Sequence, residues 1–172
     1  ITLPELFDAL ASVLDGRARV DERKMLRSRT VRGDAVLTEQ IVLNDVVITK
    51  SALSGILDLS VSVGDQFVAR FKADGLIIAT PTGSTAYNLS AGGPIVHPLV
   101  NAVVLTPIAP HALTNRPVVL PETSAIRIQP EPSDGRTEAF ASFDGQTGYK
   151  LESGDTVIVE RAPRSLRMIR AA

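Results

Sequence analysis

The sequence predicts a mainly β protein, a multi-stranded β-sandwich with a short amino-terminal helix and one further short helix. Three observations support this fold class. Short stretches of alternating apolar and polar residues recur along the chain, and turns rich in Gly, Asp and Pro join them. The repeated strand–helix–strand pattern that is typical of a parallel sheet is absent from the sequence.

The first predicted element is a short amphipathic helix over residues 4–15. Pro4 suits a first-turn position, and Gly16 suits a position just past the last turn. After Gly16 the spacing of apolar residues changes to a period of two, which predicts strands. The apolar residues that recur at the spacing of one helical face are Leu6, Phe7, Leu10, Val13 and Leu14.

A β-hairpin is predicted next, in the stretch ILDLSVSVGDQFVARFKADG. From Leu57 to Val63 apolar residues alternate with Asp and Ser, as in a strand with one buried face, and Gly64-Asp65 then turns the chain. A second helix is predicted over residues 84–91, because Gly92-Gly93-Pro94 follows as a stop signal. Further strands are predicted at 17–31, 34–49, 74–80, 101–107, 124–130, 138–143 and 155–161.

The composition limits the classes of function. Of the 172 residues 44% are apolar and 22% are charged, as expected for one globular core. A net charge of -1 argues against a nucleic acid as partner. Cysteine is absent, which excludes disulfides and thiolate metal sites and fits a cytoplasmic protein. No run approaches the roughly 20 apolar residues of a membrane span, so no membrane partner is expected.

The segment ATPTGSTAYNLSAGGPIVHP, residues 79–98, is the strongest candidate for a functional site. Its hydroxyl residues Thr82, Ser84 and Thr85 surround a glycine where the second helix is predicted to begin. Backbone amides at a helix start can bind a phosphate or ribose oxygen, and Tyr87 offers a ring face to a base. The alternative is that the hydroxyls only cap the helix. The segment is neither a Walker A loop nor a GxGxxG motif.

Three motifs resemble those of one enzyme family. TPTGSTAY, residues 80–87, resembles the signature of bacterial NAD kinases, which phosphorylate the 2′-hydroxyl of the adenosine ribose of NAD to give NADP. LNDVVI, residues 43–48, resembles the Asn-Glu or Asn-Asp motif of this family, and FDGQ, residues 143–146, resembles its late Asp-Gly element. The resemblance implies a kinase with NAD and ATP, or polyphosphate, as substrates, Mg²⁺ as divalent metal, and a homodimer or homotetramer.

The resemblance also implies which residues bind NAD. It assigns Asn44 and Asp45 to the ribose and adenine region, where an amide and a carboxylate suit a vicinal diol. It assigns Asp74 to the nicotinamide carboxamide, and it implies that Asp144 completes the pocket. Within TPTGSTAY it implies a dinucleotide-binding role for Thr82, Ser84, Thr85, Ala86 and Tyr87. It assigns Thr85 to the adenine and places Ala86 and Tyr87 near the nicotinamide end.

The family carries a Gly-Gly-Asp-Gly loop in an amino-terminal α/β domain, and that loop supplies the proposed catalytic aspartate. The loop does not occur in these 172 residues. No catalytic residue and no metal ligand are therefore predicted in this chain, which is expected to be inactive alone. We expect residues 1–16 to be a helix and linker from the missing upstream domain, and residues 17–172 to be the β-rich NAD-binding domain.

Two other functions remain open from the sequence. A related lipid or diacylglycerol kinase shares the two-domain plan, but the TPTGSTAY region has no excess of long apolar residues to line an acyl-chain pocket. A non-enzymatic β-sandwich that binds nucleotides is what composition alone supports. The pairs Asn44-Asp45, Asp74-Gly75 and Asp144-Gly145 are also compatible with ordinary turns between strands.

Overall fold

The structure is a computed structural model that describes residues 3–51, 54–112, 114–131 and 137–170. These residues form two six-stranded sheets and a two-stranded ribbon. All the strand pairs are antiparallel, and one cluster of buried apolar side chains draws on both large sheets. The predicted mainly β sandwich with two short helices is therefore confirmed.

The helical elements are α1 (Leu3–Leu14), a single 3-10 turn (Gly83–Thr85) and α2 (Tyr87–Ser90). The strands in chain order are β1 (Arg19–Arg23), β2 (Leu26–Arg32), β3 (Ala35–Val42), β4 (Asp45–Lys50), β5 (Leu57–Val63), β6 (Gln66–Ala73), β7 (Gly75–Ala79), β8 (Ala102–Ile108), β9 (Val118–Pro121), β10 (Ile126–Glu131), β11 (Ala139–Phe143), β12 (Thr147–Leu151), β13 (Asp155–Arg161) and β14 (Leu166–Arg170). The ribbon pairs β1 with β14.

The first sheet has the strand order β3-β2-β13-β10-β5-β6. Its hairpin β5–β6 forms as predicted, with Gly64 at φ +56° in the turn, where a residue without Cβ is favoured. Leu57, Leu59 and Val61 face the core and are at most 2% exposed. Full burial of one such side chain contributes about 1.5–3 kcal/mol, so the alternating pattern fixes which face of the sheet turns inward.

The second sheet has the order β12-β11-β4-β7-β8-β9. The candidate segment, residues 79–98, packs on its outer face. Strand β7, GLIIA, is apolar throughout because both of its faces are covered. Leu76 and Ile78 belong to the core between the sheets. Ile77 and Ala79 belong to a smaller apolar cluster on the other face. The apolar sequence of β7 therefore indicates that a further part of the chain packs on the outer face of this sheet.

Two of the predicted strands are each divided into two shorter strands in the structure. Residues 17–31 divide into β1 and β2, and residues 34–49 divide into β3 and β4, which belong to different sheets. The second break falls at Leu43-Asn44, where the backbone amides bond to a distant side chain instead of to a neighbouring strand. Strands β9, β12 and β14 were not predicted. β9 is a short edge strand with proline at its end, which weakens the strand pattern.

The predicted helix over 84–91 is shorter and interrupted. Ala86, at φ −93° and ψ −130°, separates the 3-10 turn from α2, and no side chain caps either helical element. Helix α1 forms almost where predicted, but its apolar side chains do not enter the sandwich core: Leu6, Phe7, Leu10 and Leu14 are 49–79% exposed. None of the helices in the described ranges is long and apolar enough to cross a membrane.

Candidate functional site

The candidate site is a groove on the outer face of the second sheet. The segment after β7 crosses this face and packs through Ala91 and Val96 on the cluster that contains Val47 and Ile77. Next to the segment lies a groove of about 370 Å³ that follows β4. The residues that line it are Asn44, Asp45, Val47, Thr49, Ala86, Tyr87, Ser142, Asp144 and Gly145. It therefore unites all three motifs that carry the family resemblance.

One wall of the groove is the link between β3 and β4, Leu43-Asn44-Asp45, whose backbone is fully hydrogen-bonded. Leu43 N donates to Asp144 Oδ2 at 2.8 Å, and Asn44 N and Asp45 N donate to Asp144 Oδ1 at 2.7 and 3.0 Å. The carbonyl oxygens of the same three residues accept, in order, from Thr80 Oγ1 at 2.6 Å, Thr80 N at 2.8 Å and Asp144 N at 3.0 Å. Complete pairing of this kind restricts the link to one backbone conformation.

The side chains of Asn44 and Asp45 are free to meet a ligand. Both line the groove, and neither has a side-chain hydrogen bond to any part of the chain that the structure describes. An amide that donates and accepts lies beside a carboxylate that only accepts. The pair can therefore bind neighbouring hydroxyl groups of a sugar, as the resemblance implies.

The carboxyl of Asp45 is electrostatically unusual. Burial, and to a smaller degree the negative charge of Asp144, raises its pKa from 3.8 to about 6. The strands on either side of β4, β7 and β11, carry no titratable side chain, and Tyr87 is the one such residue in segment 80–91. At neutral pH Asp45 is mostly ionised although it is only 5% exposed. A ligand that donates hydroxyl hydrogens to it would stabilise that charge.

Gly83 packs directly on the same link. A Cβ atom at position 83 would lie 2.0 Å from the carbonyl oxygen of Asn44, so only glycine fits without movement of the backbone. Gly83 N donates at 3.0 Å to Thr80 Oγ1, the hydroxyl that itself donates to Leu43 O. Thr80 was not predicted as a functional residue. Its side chain bonds both to the link and to the glycine turn, and so connects the link to the segment that carries Ala86 and Tyr87.

Ser84 is buried within the crossing segment. Its Oγ donates to Pro81 O at 2.6 Å and accepts from Val96 N at 3.0 Å, and the residue has no exposed surface. The hydroxyl that the resemblance assigns to the dinucleotide is therefore bonded to protein. The amide of Ser84, at the predicted helix start, is also engaged, because it bonds to Pro81 O, and Gly83 N before it bonds to Thr80 Oγ1. The prediction of an unpaired amide at the helix start was therefore wrong for Ser84.

Asn88 holds the far half of the segment and was missed by sequence reasoning. It is fully buried, its Nδ2 donates to Ser84 O and Pro94 O, and its Oδ1 accepts from Thr106 Oγ1 on β8 at 2.6 Å. A Cβ at Gly93 would lie 2.2 Å from Asn88 Oδ1. The available signal was an asparagine inside a predicted helix, shortly before a double glycine.

The other residues of TPTGSTAY lie at the groove or at its rim. Ala86 and Tyr87 line the groove, and Tyr87 is 48% exposed, so its ring can pack against a bound base or ring. Thr85 Oγ1 donates to Thr82 O at 3.3 Å on the surface next to the groove. Neither threonine is among the lining residues. Their roles in binding stay predictions.

Asp74 lies at the opposite end of β4. Asp45 pairs with Ala79 and Thr49 pairs with Gly75, so the two ends are separated by four residues of strand, about 13 Å. Lys50 Nζ contacts Asp74 Oδ1 at 3.0 Å, and Thr49 Oγ1 donates to Asp74 O at 3.3 Å. The groove therefore extends from a free amide and carboxylate at one end toward an ion pair at the other.

A resident divalent metal does not fit the described residues. They include no cluster of three or more His, Asp and Glu side chains that could hold a metal ion. At the groove, the Asp144 oxygens accept from three backbone amides, which leaves Asp45 as the carboxylate whose oxygens have no hydrogen-bond partner in the described residues. The groove therefore offers no all-protein Mg²⁺ site, and a single carboxylate would hold Mg²⁺ only together with substrate phosphates and waters.

Comparison with known proteins shows the family of the chain. A family model described as the ATP-NAD kinase C-terminal domain matches residues 43–171. An NAD kinase of Solibacter usitatus is 47% identical over 170 residues, 99% of this chain and 58% of that protein. An NAD kinase of Geotalea daltonii is 46% identical over 171 residues, 99% of this chain and 60% of that protein. The chain thus spans about three fifths of the length of these curated relatives.

Solved structures resemble the whole described fold. The crystal structure of yeast NADH kinase complexed with NADH matches with a TM-score of 0.90 at 32% identity, over 98% of this chain and 49% of that one. The structure of an NAD kinase from Archaeoglobus fulgidus in complex with ATP matches with a TM-score of 0.75 at 25% identity, over 94% of this chain and 59% of that one.

Proposed function

The chain belongs to the ATP-NAD kinase C-terminal domain family, and we propose that it forms the dinucleotide-binding part of an NAD kinase. The proposed reaction is transfer of a phosphoryl group from ATP, or from polyphosphate, to the 2′-hydroxyl of the adenosine ribose of NAD, which gives NADP. The relatives named NAD kinase and the structural neighbour that binds NADH support this substrate class.

One observation carries the proposal. The unpaired side chains of Asn44 and Asp45 lie next to each other in a groove that Tyr87 also lines. The backbone that presents them is held by six hydrogen bonds from Thr80 and Asp144. A rigid amide and carboxylate beside an aromatic ring fit a ribose with its attached base. The assignments of Asp74 and Thr85 to the nicotinamide and adenine remain part of the same proposal.

The contribution of this chain is to bind and orient. Interactions of Asn44 and Asp45 with the ribose would fix the direction of its 2′-hydroxyl, which lowers the entropic cost of reaching an in-line geometry. Mg²⁺ would neutralise charge on the transferred phosphoryl group, and the described residues of this chain include no cluster of three or more His, Asp and Glu side chains that could hold it. The base that accepts the hydroxyl proton is proposed to belong to an α/β domain outside this chain.

Calorimetric titration of the full-length protein with NAD tests the proposal. Asn44→Ala removes both hydrogen-bonding groups of the amide and is expected to weaken NAD binding by roughly 10- to 100-fold. Asp65→Asn, on the exposed β5–β6 turn, is the control and should bind like wild type. Absence of NAD binding by the wild-type protein would refute the proposed function.

We further propose that residues 1–16 are a helix and linker from that α/β domain and that residues 17–172 are the NAD-binding domain. The exposed apolar face of α1 supports this division, because 70% exposure of Phe7 leaves its ring without cover from the sandwich. A cytoplasmic homodimer or homotetramer is proposed on the resemblance. Sedimentation equilibrium of the full-length protein tests the assembly, and a monomer at micromolar concentration would contradict it.

A further inference from the structure

We propose that Asp144 is a positioning residue, which holds Asn44 and Asp45 in the ligand-binding conformation, and not a residue that itself binds the dinucleotide. The inference rests on the proposed function for its ligand. It assigns to Asp144 a role different from completion of the pocket, although its carboxylate borders the groove.

The first support is the hydrogen-bond capacity of the carboxylate. An ionised carboxylate accepts through about four lone-pair directions. Three of these are taken by the amides of Leu43, Asn44 and Asp45, at 2.7–3.0 Å. Bonds from amides to a charged acceptor are roughly twice as strong as bonds between neutral groups. A ligand that competed for these oxygens would leave partly buried amides unpaired.

The second support is the backbone at Asp144. Its φ of +50° lies in the left-handed region, which Asp and Asn tolerate better than other residues with a side chain. The next residue, Gly145, also has positive φ, at +65°. Asp144 N donates to Asp45 O at 3.0 Å, so backbone and side chain of one residue bond to the same link. The β11–β12 turn is therefore shaped to hold the link between β3 and β4.

The third support is that, among the described residues, the amides of this link bond to no acceptor other than Asp144. The link carries the chain from the first sheet to the second, so its amides leave one strand ladder before they enter the next. Thr80 satisfies two of its carbonyls from the other side. Without the Asp144 carboxylate the three amides need water, and the link gains freedom at the two residues that face the groove.

The experiment compares Asp144→Asn and Asp144→Ala with wild type and with the charge-matched control Asp65→Asn. Asparagine suits the positive φ and keeps one acceptor, so it can bond to two of the three amides, whereas alanine keeps none. Amide hydrogen exchange measured by NMR on the ligand-free full-length protein gives a readout that needs no NAD. We expect exchange of the three amides to accelerate at least tenfold in Asp144→Asn and further in Asp144→Ala.

Two further readouts accompany the exchange measurement. The Asp45 carboxyl, followed by its carbon chemical shift, should titrate at lower pH in both variants because a negative charge beside it is removed, which checks that Asp144 lies next to Asp45. The amide of Ile77 in β7 should keep wild-type protection, which separates a local effect on the link from a general loss of structure. With NAD added, the dissociation constant should rise about tenfold in Asp144→Asn and further in Asp144→Ala.

Unchanged protection of the three amides together with weaker NAD binding would overturn the inference and make Asp144 a direct ligand. Wild-type NAD binding by both variants would also overturn it. If the wild-type protein binds no NAD, the proposed function fails, while the amide exchange still decides whether Asp144 holds the link.

Discussion

Replacement of Asp45 by asparagine should stabilise the unliganded protein while it weakens NAD binding. Asp45 is 5% exposed, and its pKa is raised from 3.8 to about 6, by burial first and by Asp144 second. Between these two pH values the folded protein binds more protons than the unfolded chain. The free energy of unfolding therefore falls as pH rises through this window, and above pH 6 the full penalty of an ionised, buried Asp45 remains.

The magnitude follows from the pKa difference. A shift from 3.8 to about 6 corresponds to about 3 kcal/mol at full ionisation, and to about 1.6 kcal/mol at pH 5. Asparagine has nearly the same shape and does not ionise. We therefore expect Asp45→Asn to raise the free energy of unfolding by up to about 3 kcal/mol at pH 7.5 and by about 1.4 kcal/mol less at pH 5.

Urea unfolding of the full-length protein, of Asp45→Asn and of Asp65→Asn at pH 5 and pH 7.5 measures the effect. The control, on an exposed turn, should change stability by less than about 0.5 kcal/mol at either pH. NAD affinity, measured on the same samples, should fall in Asp45→Asn only. Equal stability of Asp45→Asn and wild type at pH 7.5, or a gain that does not depend on pH, would show that ionised Asp45 does not destabilise the folded protein.

Three other substitutions test the packing of the groove. Gly83→Ala places a Cβ 2.0 Å from Asn44 O, so we expect a loss of about 1–3 kcal/mol by urea unfolding and weaker NAD binding by calorimetry. Thr80→Val keeps the shape but leaves Leu43 O and Gly83 N unpaired. It should cost about 2 kcal/mol or more, and wild-type stability would contradict the role of Thr80. Ser84→Ala should cost about 1–3 kcal/mol, because Val96 N loses its acceptor, and a wild-type melting temperature would contradict this.

The elements that the sequence predicted well are those specified by local pattern. Strand β13 has the predicted bounds, 155–161, and the β5–β6 hairpin follows from its alternation and its Gly64 turn. The break between β3 and β4 was not predicted, although Asn44 and Asp45 disfavour a continuous strand. The change of sheet at this break depends on hydrogen bonds to a carboxylate 100 residues away along the chain, which no local pattern shows.

The site residues show the same distinction. Several lining residues were predicted because their motifs resemble those of a known family. They include Asn44, Asp45, Ala86 and Tyr87. The resemblance names residues without stating where each side chain points. Ser84 lies in the most specific motif, yet its hydroxyl is bonded inside the segment. Only the packing of residues 80–98 on the outer face of the sheet distinguishes a buried hydroxyl from an exposed one.

An NMR titration of the full-length protein with NAD, followed through the side-chain amide of Asn44, tests the proposal that the groove along β4 binds NAD through Asn44 and Asp45. We predict that this resonance and the ring resonances of Tyr87 shift in a saturable manner, with one dissociation constant. Saturable shifts that are confined to residues outside the groove, while the Asn44 amide stays unchanged, would show that NAD binds elsewhere on the protein.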